Sequence, residues 1–201
     1  MKQKIFYYTA GPIENSNATE EVSWKELFMA RLKKYKNVIG YNPVEREAEK
    51  TGKTAAANCE YIKTLKSKGK WGRVRNVMDK IWWGDFTDKT YGRLLRASTE
   101  STANEITVEE FHNLGDFPAV AASTFIVAHL PKNTKTVGTY AEITQAYFMK
   151  KPIFAICPEQ ELVNMNTTLI YFCLESGGGV FHSVELAANA VVEYLKGNAF
   201  V

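Results

Sequence analysis

Residues 124–157 read TFIVAHLPKNTKTVGTYAEITQAYFMKKPIFAIC, and this stretch decides the fold. Thr124–Leu130 is a continuous apolar run, Pro131–Val137 a loop, and Gly138–Met149 carries the spacing of a helix. Lys151-Pro152 breaks that helix, and Ile153–Cys157 is a second apolar run. Strands without polar alternation belong to a sheet covered on both faces, which in practice is a parallel one. The start of the chain has the same grammar. Residues 4–9 (KIFYYT) read as a strand, Ala10-Gly11-Pro12 ends it, and Ser16, Asn17 and Thr19 offer caps to a helix over 20–35. Residues 37–41 (NVIGY) read as the next strand. The expectation is an α/β fold, a doubly wound parallel sheet flanked by helices (Rossmann-like or flavodoxin-like).

Between these two blocks the signal weakens. Residues 42–75 are polar, interrupted by Gly52, Gly69 and Gly72, and are expected to be irregular with one or two helices. Residues 74–84 read as a helix. Residues 86–110 look like an excursion rich in Ser, Thr and Glu, and 116–123 like a short helix. A closing amphipathic helix covers 184–196. The whole is one domain, 1–201, with an insertion at about 44–110.

Composition narrows the function classes. The chain has 201 residues, 45% hydrophobic and 23% charged, with a net charge of +3, enough to build a core without disulfides or a structural metal. No apolar run reaches ~18 residues, and the first residues lack the pattern of a signal peptide. Three cysteines and three scattered histidines form no metal spacing and suit a reducing, cytoplasmic setting. No metal and no cofactor is expected, nor a membrane. The mild charge gives no reason to expect nucleic acid. Ten Lys/Arg stand against three Asp between Lys63 and Arg96; a solvated helix face is the plainer reading, a phosphate-facing surface the sharper one.

Several residues invite chemistry. In parallel sheets ligands sit beyond the carboxyl ends of the strands. Gly138 would let backbone approach a ligand there. Glu142 falls near the positive end of the helix dipole, where an ionised carboxylate is favoured; on spacing alone, a glutamate stabilising the helix start is the simpler account. Asp116 is a proton donor or substrate anchor, or simply a helix cap. Tyr7 and Tyr8 alternate across the first strand, so they face opposite sides of the sheet. Thr51-Gly52-Lys53-Thr54 is not a P-loop, because Glu47 occupies the position that needs glycine. Gly177-Gly178-Gly179 reads as a flexible turn, and Trp82-Trp83 as packing aromatics rather than a base-stacking platform.

Three segments in order resemble one family. YYTAGPIE at the end of the first strand, DFPAVAASTFIV from Asp116, and VGTYAEI with Ala146 and Lys151-Pro152-Ile153-Phe154 are similar to motifs of nucleoside 2-deoxyribosyltransferase-like proteins, the phage and bacterial type. The three cover about half the chain, GTYAEI being the most specific. The resemblance implies an enzyme that exchanges nucleobases on deoxyribonucleosides through a covalent 2-deoxyribosyl–glutamate intermediate. Glu142 would be the nucleophile and Asp116 would protonate or hold the base. A strand tyrosine would orient the glutamate. Tyr8 is taken for that role and Tyr7 for a substrate contact, although two registers of the motif leave the pair interchangeable. Gly11, Pro12, Gly138 and Thr139 would line the substrate, with Asp85 a rival to Asp116. Thr124 and Thr136 stand where family members carry acids. The implied partners are a small-molecule deoxynucleoside or deoxynucleotide, a free base, and further copies of the chain in a homo-oligomer. Two alternatives stay open: a hydrolase of deoxynucleoside 5′-monophosphates, and a non-catalytic nucleotide-binding module.

Overall fold

The computed structural model describes residues 3–11, 18–84, 106–130 and 137–201, the side chains of 18–23, 160 and 162 excepted. Five strands make one sheet: β1 (Ile5–Ala10), β2 (Val38–Tyr41), β3 (Phe125–His129), β4 (Ile153–Ile156) and β5 (Gly179–Phe181). Their order is β2-β1-β3-β4-β5 and every pairing is parallel. This is the doubly wound, flavodoxin-like order, and its switch point lies between β1 and β3. The expectation of a parallel α/β sheet is therefore met.

Strand alternation sorts the side chains onto two faces. Ile5 and Tyr7 of β1 join Phe125, Val127, Phe154 and Ile156 on one face. Helices α1 (Ala18–Leu32) and, last in the chain, α9 (Val184–Gly197) cover it with Trp24, Phe28, Leu32, Val191 and Leu195. Phe6, Tyr8 and Ala10 join Ile126, Ala128, Ile153 and Ala155 on the other. There the cover comes from α5 (Val108–Asn113), α6 (Asp116–Ala122), α7 (Val137–Phe148) and α8 (Thr167–Glu175). Gly40 of β2 has a local reason. A Cβ there would stand 2.6 Å from the Tyr7 ring, so only glycine leaves room for it.

The insertion is more regular than its composition implied. Its described residues up to 84 form three helices, α2 (Pro43–Thr51), α3 (Ala55–Ser67) and α4 (Trp71–Trp82). Asn42 accepts from Val44 N and caps α2; Gly52, at φ 69°, ends it in the left-handed region; Thr54 caps α3. These polar and glycine signals are punctuation between helices rather than marks of irregularity. The end of the expected 86–110 excursion is likewise ordered. Thr107 and Glu110 form a reciprocal capping box that starts α5. Residues 85–105, with Asp85, lie outside the described residues, as do Pro12, Ser16, Asn17 and Thr136.

The glycine run also needs correction. Gly177 turns at φ 81°, but a Cβ on Gly178 would lie 2.0 Å from the Ile153 carbonyl oxygen, and Gly179 opens β5. The run is a turn followed by a close backbone approach that seats the last strand.

Candidate active site

Tyr8 decides where the site is. Its parity sends it to the face covered by α6 and α7, and it is fully buried. Its hydroxyl donates to Glu142 Oε1 at 2.7 Å. Glu142 is on α7, directly after β3, and Asp116 is the first residue of α6, which leads into β3. Both carboxyls are only 6% exposed. The structure therefore gathers Tyr8, Asp116 and Glu142 beside the β1/β3 switch point, although 134 residues separate Tyr8 from Glu142. Tyr7 is not with them. It stacks on Phe125 at 5.3 Å and meets Phe28 edge-on, in the core of the opposite face, so its reading as a substrate contact is corrected by strand parity. Gly11 follows β1 and is buried.

The start of α7 supplies two further expected residues. Thr139 lies one turn before Glu142 and is 2% exposed. Its Oγ1 has no hydrogen-bond partner among the described residues, which leaves a buried hydroxyl on the carboxylate's side of the helix. Gly138 lies under the Trp82 ring, whose nearest atom would be 3.7 Å from a Cβ there. Trp82 in turn packs on Phe117 at 4.2 Å, and Trp83 meets Phe117 at 5.4 Å. An aromatic group thus stands next to Asp116 and the α7 start. The reading of both tryptophans as packing residues agrees with these contacts.

Asp116 is positioned by a backbone clasp. Gly84 and Leu114 form an isolated antiparallel bridge, and a Cβ on Gly115 would come within 2.3 Å of the Trp83 carbonyl carbon. Glycine alone lets the end of α4 lie this close to the residue that starts α6. Asp116 follows that residue directly, which is why Gly115, not Asp116, is the cap of α6.

Three charged side chains complete the electrostatics, and sequence reasoning missed all of them. Lys25 of α1 is fully buried beside Trp24. Lys50 of α2 lies over the Tyr41 ring at 5.1 Å and donates to the Tyr41 hydroxyl. Tyr41 itself donates to the Leu114 carbonyl at 2.6 Å and stacks on Tyr8 at 5.3 Å. Glu47, 6% exposed, accepts from Asn58 Nδ2 at 2.8 Å.

Burial dominates the titration of the pair. It raises Asp116 from 3.8 to about 7; Glu47 adds to the rise, while Lys50, Lys25 and the Tyr8 hydroxyl oppose it. It raises Glu142 from 4.5 to about 8; the charge of Asp116 adds, and the Tyr8 hydrogen bond and Lys25 oppose. The two carboxyls therefore hold a proton between them near neutrality, as coupled acids do. Burial also pushes the Tyr8 phenol well up, so it stays a donor.

No protein-family model matches the chain, and no curated protein is significantly similar to it.

The geometry has its own chemical content. Two coupled carboxyls that share a proton, one of them hydrogen-bonded to Tyr8, with aromatic rings beside them, suit attack at an electrophilic carbon together with protonation of a leaving group. Among the described residues no set of three His, Cys, Asp or Glu is placed to hold a metal ion, and no helix is long and apolar enough to cross a membrane.

Proposed function

We propose that this chain is an N-glycosyl-transferring enzyme of the nucleoside 2-deoxyribosyltransferase type. The observation that carries the reading is the buried Tyr8–Glu142 hydrogen bond of 2.7 Å, with Asp116 as the second, electrostatically coupled carboxyl. The motif resemblance alone assigns Glu142 and Asp116 their separate roles; burial, which raises both carboxyls above the ordinary range, supports reading the pair as a functional site.

In the first step Glu142 attacks C1′ of the deoxyribose. The bond from C1′ to the base nitrogen breaks, its electron pair leaves with the base, and the Asp116 carboxyl supplies the proton. The product is a 2-deoxyribosyl ester on Glu142 and a free base. In the second step a nitrogen of an incoming base attacks C1′, the ester bond breaks, and Glu142 regains its charge while Asp116 takes up the proton. Tyr8 is a positioning residue. Its hydroxyl holds one carboxylate oxygen, so the other is the one free to attack. Thr139 Oγ1, buried and without a partner among the described residues, would meet a polar group of the substrate.

The test is incubation with a panel of deoxynucleosides and their 5′-monophosphates, with and without free adenine, followed by chromatography. Exchange of bases, and a 2-deoxyribosyl mass increment on the peptide containing Glu142, are expected in the wild type and absent in Glu142→Ala. Exchange that persists in Glu142→Ala removes the mechanism. Base release from monophosphates without stimulation by free base selects the hydrolase. Binding without any product selects the non-catalytic module.

A further inference from the structure

A second polar concavity lies away from the carboxyl pair, where α2, α3 and α4 meet. It encloses about 270 Å³, and Lys53, Arg73, Lys80, Asn58, Asn76 and Tyr61 line it. We propose that this cleft binds the phosphate group of a small phosphomonoester. It shares no residue with the site built on Glu142, and the proposal does not depend on the glycosyl-transfer reading.

Charge is the first argument. The lining has three cations and no carboxylate. The acids nearby along the helices are engaged elsewhere: Glu60 with Lys63 at 2.7 Å, Asp79 with Arg75 at 3.5 Å, and Glu49 with Arg46 at 2.6 Å. Among the described residues none of Lys53, Arg73 and Lys80 is in an ion pair. Lys53 Nζ instead lies 3.8 Å from the Tyr61 ring centroid, a contact that fixes the cation without neutralising it. Three like charges around one concavity repel each other, and a dianion relieves that repulsion.

Construction is the second argument. The wall is anchored by Asn58, only 1% exposed, whose Nδ2 donates to Glu47 Oε1 and Thr51 Oγ1, each at 2.8 Å. Thr51 Oγ1 also donates to the Glu47 carbonyl at 2.7 Å and accepts from the Lys53 amide at 3.2 Å. The turn that carries Lys53 is exposed but is thereby tied to α2 and α3. Thr51-Gly52-Lys53-Thr54 is thus no P-loop, yet it carries a cation to the cleft.

Size and shape select the ligand class. The volume, about 270 Å³, lies just below the ~300–1,000 Å³ of drug-sized pockets, so a phosphoryl group with a small organic body fits and a nucleic-acid strand does not. Arg73 offers a planar fork matched to phosphate oxygens, and the two lysines offer point charges. Tyr61 supplies an apolar surface for the body of the ligand.

The test is nitrogen-15 NMR titration of the full chain at fixed ionic strength with inorganic phosphate and with ribose 5-phosphate; ribose and chloride serve as controls. Saturable shifts are expected at the amides of Gly52, Lys53 and Asn58 with both phosphates and with neither control. Arg73→Ala combined with Lys80→Ala, both exposed positions, is expected to weaken binding by about tenfold or more. Glu142→Gln is expected to bind as the wild type does, which separates this site from the one at β1/β3. Absence of saturable shifts, shifts confined to Tyr8 and its neighbours, equal shifts with chloride, or unchanged affinity in the double variant would each overturn the proposal.

Discussion

Replacing Glu142 by Gln tests the electrostatics of the carboxyl pair without reference to any substrate. The amide is isosteric and its oxygen still accepts the Tyr8 hydroxyl, so packing and the hydrogen bond are kept. What changes is titration. The folded protein raises Glu142 from 4.5 to about 8, through burial first and the charge of Asp116 second. A group whose folded pKa lies above its unfolded one stabilises the fold fully below the unfolded value, and that contribution is lost as pH rises through the folded value. Wild-type stability should therefore fall between about pH 5 and about pH 9 by on the order of 2–4 kcal/mol from this group. The amide in the Glu142→Gln variant has no such proton to lose. For a chain of this size each kcal/mol moves Tm by ~2–4 °C. The variant should melt within ~2 °C of the wild type at about pH 5 and roughly 5–10 °C above it at about pH 9. Lys151, lowered to about 8 by burial, contributes the opposite slope, but it is present in both proteins and cancels in the difference. The assay is differential scanning fluorimetry across pH, checked by circular dichroism. Parallel Tm curves for the two proteins would refute the claim that burial raises the proton affinity of this carboxyl.

Two further substitutions probe how the site is held. Tyr8→Phe removes the donor to Glu142. Loss of a hydrogen bond to a charged group is worth ~1.5–3 kcal/mol, so base exchange should fall at least about tenfold. Because the Tyr8 bond lowers the Glu142 pKa, the acidic limb of the pH–rate profile should move upward, a shift that a merely structural role would not produce. Gly115→Ala places a Cβ 2.3 Å from the Trp83 backbone. The clasp between α4 and α6 must then open, with a loss of ~1–3 kcal/mol; thermal unfolding reads the loss, and an unchanged Tm would show that the clasp is not tight.

The fold was legible where packing acts alone on the strands. TFIVAHL and IFAIC are apolar on both faces because helices cover both faces, so their composition reports their surroundings directly. The tyrosine pair was half legible. Alternation separates Tyr7 from Tyr8, but which of them meets Glu142 depends on which helices cover which face, a property of the whole sheet. Lys25, Glu47 and Lys50 were hidden because charged residues are ordinarily solvated, and each sits in a segment rich in other charges. Lys25 did carry a signal, lying next to the buried stripe Trp24, Phe28 and Leu32. Gly177-Gly178-Gly179 reads as a flexible turn because glycine composition cannot show that Gly178 must seat β5 against the Ile153 backbone; the helix Thr167–Glu175 before it has no counterpart in the sequence reading.

The composition of the site argues against a purely structural role for it. Its groups come from five elements: Tyr8 from β1, Lys25 from α1, Lys50 from α2, Asp116 from α6 and Glu142 from α7. Apolar residues of similar volume would pack there without desolvating charge, and replacement of buried ionic groups by such residues is often neutral or stabilising. Here two acids are instead buried near each other, where burial raises both and the charge of Asp116 raises Glu142 further. The arrangement opposes stability and serves protonation of one acid beside ionisation of another, which is the condition a nucleophile and a proton donor share. The lysines fit the same reasoning. Lys50 and Lys25 oppose the rise of the Asp116 pKa and Lys25 that of Glu142, so they keep the pair from holding both protons near neutrality. A site with the carboxyls alone would hold both protons; a site with stronger cations would hold neither; only the intermediate case suits the glycosyl transfer proposed above.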